Sequence, residues 1–373
     1  MLASVQSRGL AEGCSGVNDN ERIIFLKRPG ENSPPTASCF QHEPCHLPTR
    51  DDLETGQCIV RTLYLSADPA QRCRMNKVTG VDYLAPYEEG GLVDGLEGIG
   101  IVEVATIECT LQRGDIVTAC AHLWPWTRVF IADGNDLVKV ELPRGLSPKI
   151  ILSGVGISGM TALLGIRKKA KIRKDRKETI VVSAAGGSCG SLAGQIARLE
   201  GCSRVIGICG SEEKCRWITK TLGFDAAINY KNESVGDRLA DLAPSGVDIY
   251  FDNVGGFVSD AVIQRMNADG RVVLCGQIAV YNTDLPYPPP LNPVVAEIIT
   301  HRNISRERFL LLAHKDEMDA AVAQLSQWIT EEKLKVNETV YMGLASAPQA
   351  FVDMMAGKNI GKMVIKVSEE PAN

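Results

Sequence analysis

Residues 179–194, reading TIVVSAAGGSCGSLAG, constrain this chain most, because they join a β-branched run, a glycine cluster and a small-residue helix start without interruption. Thr179-Ile180-Val181-Val182 suits a strand buried on both faces, and such strands belong to parallel sheets covered by helices. Gly186, Gly187 and Gly190 come directly after it. Lacking Cβ atoms, they let backbone N–H groups approach an anion at the N-terminus of the next helix, the layout of a dinucleotide pyrophosphate site. The spacing departs from Gly-x-Gly-x-x-Gly, since Ala185 stands where the first glycine would be. Two other readings share this local pattern. One is a strand-to-helix turn with no ligand. The other is the Gly-x-Ser-x-Gly elbow of hydrolases, matched by Gly186-Gly187-Ser188-Cys189-Gly190 with His301 and His314 downstream.

The residues beyond the turn favour the dinucleotide. A helix is expected over residues 191–200, and residues 205–209, VIGIC, form a second short apolar strand at the distance a βαβ unit requires. An NAD site carries an acidic residue at the end of this strand for the ribose 2′-hydroxyl, whereas here stands Cys209-Gly210-Ser211, with Lys214 four residues past Gly210. The small residues leave room for a 2′-phosphate and Lys214 offers it a cation, so NADP is favoured over NAD. Glu212 and Glu213 stand close by, and a solvated Lys214 is the plain alternative.

Around this unit the pattern changes character. Residues 23–27, 57–64, 98–104, 115–119 and 127–131 read as short strands punctuated by Gly, Pro and Asp, an antiparallel β domain. From residue 147 strand and helix alternate, with strands expected at 180–184, 205–209, 226–228, 247–251, 272–275 and 309–312. Six such strands fit a doubly wound α/β domain. The expected organisation is therefore a flexible extension over 1–20, a nucleotide-binding domain over 147–315, and a catalytic domain built from 21–146 and 316–373. At 373 residues, 45% hydrophobic and 23% charged, the chain can bury two cores.

Several features invite sharper readings. Residues 167–177 contain eight basic residues, a candidate nucleic-acid or acidic-lipid patch. No aromatic residue interleaves to stack on bases, and a solvated turn explains the run more simply. The net charge of −5 provides no general field for nucleic acid. Residues 150–166 are uncharged but too short and glycine-rich to span a membrane, and read as a buried helix beside the domain junction. Twelve scattered cysteines suggest reduced thiols in a cytoplasmic enzyme. Cys39, His42, Cys45 and His46 are the one cluster with metal-ligand character, without a Cys-x-x-Cys pair. Tyr287-Pro288-Pro289-Pro290 reads as a stiff extended loop.

The strings Leu63-Tyr-Leu-Ser-Ala-Asp-Pro69, Arg72-Cys-Arg-Met75, Asp248-Ile-Tyr-Phe-Asp-Asn-Val-Gly-Gly256, Cys275-Gly-Gln277, Tyr281-Asn282, Leu285-Pro-Tyr-Pro-Pro-Pro290, Arg306-Glu-Arg-Phe-Leu310 and Asn359-Ile-Gly-Lys362 resemble those of the zinc-independent medium-chain reductases that reduce prostaglandin and leukotriene enones. The resemblance runs over nearly the whole chain from Arg22. It implies a Rossmann domain joined to a GroES-like catalytic domain. Zinc-dependent relatives carry Gly-His-Glu where this chain has Gly95-Leu96-Glu97, and leucine cannot ligate zinc, so no metal is expected.

Carried onto this sequence, the resemblance implies that NADPH is held by Gly187, Ser188, Cys189 and Gly190 at the pyrophosphate, and by Lys214 and Tyr230 at the adenosine phosphate. Asn253 would serve the ribose region. Cys275, Gly276, Gln277, Ile278, Ala279, Val280, Tyr281, Phe309, Leu310, Leu311 and Asn359 would line the rest of the groove. It further implies that the hydroxyls of Tyr83 and Tyr281 meet the enone ketone, with His122 and Leu123 as further substrate contacts. Hydride addition to the β-carbon moves negative charge to the carbonyl oxygen, where a phenol hydrogen bond strengthens as the enolate forms. The expected reaction is reduction of the 13,14 double bond of 15-keto prostaglandins by a monomer or homodimer. A broader alkenal or quinone reductase, and a non-catalytic NADPH-binding protein whose basic run binds RNA, remain as rivals.

Overall fold

A computed structural model describes residues 20–30, 32–80, 84–119, 123–141, 146–283, 285 and 288–371. Tyr83, His122, residues 1–19 of the expected extension, and Pro286 and Tyr287 of the proline-rich loop lie outside them, while Asn20, expected in the extension, is the first residue of a strand.

The first half of the chain builds the catalytic sheet. Strands β1 (Asn20–Phe25) and β2 (Phe40–Cys45) pair antiparallel. The ten-residue β3 (Gln57–Ser66) leads into a short helix, α1 (Ala70–Arg74). Then come β4 (Asp94–Gly95), β5 (Gly98–Ala105), β6 (Ile116–Ala119), β7 (Trp124–Pro125), β8 (Val129–Asp133) and β9 (Leu137–Lys139). β3 organises them. One edge pairs with β5, while its other edge pairs first with β8 at Gln57–Arg61. The core below is aromatic, and its packing explains a glycine. A Cβ at Gly98 would lie 2.2 Å from Trp124, so the fully buried indole lies flat against bare backbone while its Nε1–H donates to Thr62 Oγ1 at 3.2 Å.

The chain then enters the nucleotide domain. The uncharged run 150–166, expected as one buried helix, forms instead a wide helical segment, Ile151–Val155, broken at Gly156 before α2 (Ile157–Gly165). The break has a cause in the other domain: Glu97 Oε1 accepts the Ile157 N–H at 2.6 Å and lies where a Gly156 Cβ would stand. Alternating elements continue as β10 (Thr179–Ser183), α3 (Ser188–Leu199), β11 (Arg204–Cys209), α4 (Glu212–Lys220), β12 (Ala226–Asn229), α5 (Val235–Leu242), β13 (Val247–Asp252), α6 (Gly256–Gln264), β14 (Met266–Leu274), α7 (Pro293–His301) and β15 (Ser305–Arg308). All pairs are parallel, in the order β12-β11-β10-β13-β14-β15, the doubly wound arrangement that opens a crevice at the switch point between β10 and β13.

The sixth strand is Ser305–Arg308, not the apolar 309–312. As the sheet's edge it carries charge, which suits an edge exposed to water. Phe309 and Leu311 are apolar because they turn into the core just beyond it. After this come α8 (Met318–Thr330), β16 (Glu338–Met342), α9 (Ala347–Met355) and β17 (Lys362–Lys366). β17 returns to β3, and β16 lies outside it. A domain boundary at 316 would put α8 in the catalytic domain, yet its Ala321, Leu325 and Ile329 are buried in the nucleotide-domain core. Among the described residues no helix is long and apolar enough to cross a membrane.

Candidate active site

The glycine turn lies at the C-terminal end of β10, beside the sheet's switch point. Gly187 caps α3 with an extended backbone, so the N–H groups of Ser188, Cys189 and Gly190 belong to the helix's first turn, where no intrahelical acceptor exists. Gly190 is fixed by packing, since a Cβ there would stand 2.4 Å from the Ala184 carbonyl oxygen. Ala184 itself holds φ at +48°, a left-handed strain at the turn. One polar atom is left over: the Ser188 hydroxyl is buried with no hydrogen-bond partner. An orphaned hydroxyl above an open helix N-terminus fits a pyrophosphate, and this cradle is the ground for assigning a dinucleotide here.

The adenosine end shows why glycine stands at two positions. A Cβ on Gly186 would meet the Lys214 side chain at 2.8 Å, and one on Gly210 would meet the Tyr230 ring at 3.1 Å. Both side chains are thus drawn over the end of β11. Ser211 caps α4 by accepting the Lys214 N–H, and Lys214 Nζ donates to the Gly357 carbonyl at 2.7 Å. Burial holds the Lys214 ammonium below its ordinary pKa, a condition that an adjacent phosphate would relieve. Glu212, the nearby acid that kept NAD in play, instead accepts from Asn229 Nδ2 at 2.7 Å. The residues present fit a 2′-phosphorylated dinucleotide.

Across the crevice, Asp252 is fully buried at the end of β13 and governs the loops beyond it. Its carboxylate accepts from Tyr250 Oη, from the N–H groups of Val254 and Gly255, from Ser259 Oγ and from Gln277 Nε2. Asn253 is held by Ser183, whose backbone carbonyl accepts from Asn253 Nδ2 at 2.8 Å. Cys275 and Gly276 donate their N–H groups to the Asp252 carbonyl, and Ile278–Val280 form a tight turn. Phe309 and Leu311 are buried beside these loops and Leu310 lies between them. Asn359 gives its side-chain N–H to the Gly361 carbonyl, and Gly361 N–H donates to the Gly186 carbonyl, docking that loop on the glycine turn.

Tyr281 closes the groove. Its hydroxyl accepts the Gln277 N–H at 3.3 Å, and the residue lines a cavity of about 460 Å³ between the domains. Val280, Thr283 and Leu285 form one wall, and Arg28, Cys73, Met75, Lys77, Val78 and Thr79 belong to the other. Leu123, half-buried, is not among the described residues lining it. A clamp joins the walls. The buried Arg72 donates from Nε to Asn282 Oδ1 at 2.9 Å, from Nη1 to Asn76 Oδ1 and from Nη2 to the Ser33 carbonyl. Sequence reasoning identifies neither this clamp nor the Asp252 network, although both residues lie in strings carrying the family resemblance.

A second buried group also escapes sequence reasoning. Lys362 Nζ lies 2.6 Å from Asp68 Oδ1 and 3.3 Å from Glu97 Oε2, joining β17, the end of β3 and the Gly95-Leu96-Glu97 segment. Burial pushes the Glu97 carboxyl up to about 7 against the pull of Lys362. Burial alone would lower Lys362, but Asp68 and Glu97 together hold it above its ordinary value. The residues flagged elsewhere have structural partners. His42 pairs with Glu21 and His46 with Asp52, while Cys39 is buried in the catalytic core. In the basic run Arg167, Lys168, Lys169 and Arg173 are bound to Glu200, Glu317, Glu307 and Glu178.

Residues 22–140 match a family model described as the N-terminal domain of oxidoreductase, and residues 189–327 one described as zinc-binding dehydrogenase. The chain is 34% identical over 355 residues to the NADPH-dependent curcumin reductase of Escherichia coli, spanning 94% of this chain and 97% of that protein. It is 36% identical over 336 residues to mouse prostaglandin reductase 1, spanning 89% and 95%. CurA from Vibrio vulnificus, solved also with NADPH, superposes with a TM-score of 0.84 at 33% identity, over 94% of this chain and 100% of CurA. Among the described residues the zinc of the second family description finds no donor set. Leu96 offers no ligand, Glu97 is bound to Lys362, and among the described residues no three His, Cys, Asp or Glu side chains gather around a metal position.

Proposed function

Since the chain belongs to the medium-chain dehydrogenase/reductase family, alongside curcumin and prostaglandin reductases, we propose that it is an NADPH-dependent enone reductase of the prostaglandin reductase 2 type, a cytoplasmic 15-oxoprostaglandin 13-reductase. The observation that carries this reading is the Tyr281 hydroxyl held by the Gln277 N–H at the wall of the interdomain cavity. Bound NADPH would supply the hydride that adds to the enone β-carbon. Tyr281 then donates a hydrogen bond to the carbonyl oxygen, which gains charge as the enolate forms, and a phenol does so while neutral. Tyr83, outside the described residues, is the proposed second donor. No residue is singled out as the acid for the α-carbon, and water takes that part.

The cavity supports an acidic lipid in particular. Its described lining includes Arg28 and Lys77 but no Asp or Glu, beside Met75, Val78, Val280 and Leu285. That mixture suits an acyl chain ending in a carboxylate. Purified protein should oxidise NADPH with a 15-keto prostaglandin and yield the 13,14-dihydro product. The reading fails if NADPH binds but no enone is turned over. A broader enone reductase is the second reading, favoured by relatives of comparable identity whose names carry different substrates. Competition among a 15-keto prostaglandin, a short alkenal and a quinone separates the two by kcat/KM.

A further inference from the structure

Two cysteines face each other across the cofactor crevice. Cys189 is the second residue of α3, in the turn that cradles the pyrophosphate, and Cys275 is the first residue beyond β14, under the segment leading to Tyr281. Their Sγ atoms are 3.9 Å apart, and both residues are partly exposed. Among the described residues two other pairs of thiols are neighbours, Cys58 with Cys109 and Cys209 with Cys215, but Cys58, Cys209 and Cys215 are buried. Among the described thiol pairs, the crevice pair is therefore the one in which neither residue is fully buried. We infer that Cys189 and Cys275 are a redox modification site, forming a reversible disulfide under hydrogen peroxide that shuts the crevice against NADPH.

The chemistry balances with peroxide as the oxidant. The Cys189 sulfur attacks one peroxide oxygen, an S–O bond forms as O–O breaks, and the departing hydroxide takes the thiol proton as water. The Cys275 sulfur then displaces the hydroxyl from the sulfenic acid, so S–S forms, S–O breaks and a second water leaves with the Cys275 proton. Two thiols and one peroxide give one disulfide and two waters. Cys275 suits the second role. Its hydrogen bond with Cys189 and its partial burial hold its pKa well above the ordinary thiol value, so Cys189 is the sulfur that meets peroxide first. A bond of about 2.0 Å draws the first turn of α3 toward the end of β14, across the floor on which the dinucleotide would lie. Bound NADPH separates the partners from solvent and protects them.

This switch belongs to the cofactor crevice and operates whichever enone is the substrate. The full-length protein is treated with peroxide, with and without saturating NADPH, digested without reductant and mapped by mass spectrometry, while NADPH affinity is followed by its fluorescence. The expected result is a Cys189–Cys275 cross-linked peptide, an affinity loss of about tenfold or more, protection by NADPH and recovery with dithiothreitol. In Cys275→Ser the cross-link is impossible, and dimedone should instead trap a sulfenic acid on Cys189. The inference is overturned if the untreated protein binds NADPH and the treated protein loses it without this peptide. It is equally overturned if NADPH fails to slow the cross-link, or if dimedone labels another cysteine in its place. Should the variant not fold, the wild-type peptide map decides alone.

Discussion

The hydroxyl of Tyr281 is placed differently from those of Tyr64 and Tyr341. Tyr64 donates to Glu370 and Tyr341 to Asp353, so both are engaged with carboxylates away from the cavity. Tyr281 instead accepts from the backbone N–H of Gln277 beside the cofactor groove, and the residue lines the cavity. Tyr281→Phe keeps the ring and removes the donor. With a 15-keto prostaglandin, kcat should fall about a hundredfold while NADPH affinity stays within a few-fold, checked by single-turnover absorbance and by cofactor fluorescence. Lys77 makes a separate prediction. It is exposed at the rim, without an ion-pair partner among the described residues, so its ammonium can meet a substrate carboxylate. Exposed pairs contribute modestly, and Lys77→Gln should raise KM for the free acid about two- to fivefold and leave the methyl ester unchanged. Equal effects on acid and ester would mean that the lysine acts by shaping the rim.

At the scale of elements, the βαβ unit from β10 to β11 is legible in sequence because its cues are local. A fully buried β-branched strand, a glycine turn and a second apolar strand each leave their mark within a few residues. The glycines also make a prediction. At Gly190 an added Cβ meets the Ala184 backbone, which cannot rotate aside, so Gly190→Ala should cost about 1 to 3 kcal/mol of stability by denaturant titration and weaken NADPH binding by calorimetry. Lys214→Ala should instead leave stability nearly intact and erode the preference for NADPH over NADH, read as the ratio of kcat/KM values. The sixth strand is misplaced by sequence because the apolar-run criterion finds central strands, and β15 is a charged edge. The single helix expected over 150–166 fails for a different reason. Its break is imposed by Glu97, sixty residues earlier, and no periodicity records a contact of that range. The Arg72–Asn282 clamp is likewise invisible locally, since its partners are separated by 210 residues.

For the whole molecule, the telling feature is that the two domains are joined through buried charge as well as apolar packing. Lys362 enters the catalytic sheet directly after Gly361 has bonded to the glycine turn, and it binds Glu97, which in turn accepts the first N–H of α2. The loop from 359 to 362 therefore connects the cofactor cradle, the catalytic sheet and the helix that opens the nucleotide domain. Burying such a group carries a pH signature. Burial raises Glu97 from 4.5 to about 7, so the folded protein binds this proton more tightly than the unfolded chain. By linkage its contribution to stability is fully present below about 4.5 and is lost as pH rises through about 7. Glu97→Gln keeps an acceptor for the Ile157 N–H and removes the titration. Wild type and variant should be unfolded in urea at intervals from about pH 5 to about pH 8, and the difference in their stabilities should change by on the order of 2 to 3 kcal/mol, with wild type losing ground as pH rises. Parallel curves would show that Glu97 does not change protonation across this range, and that Lys362 keeps it ionised throughout.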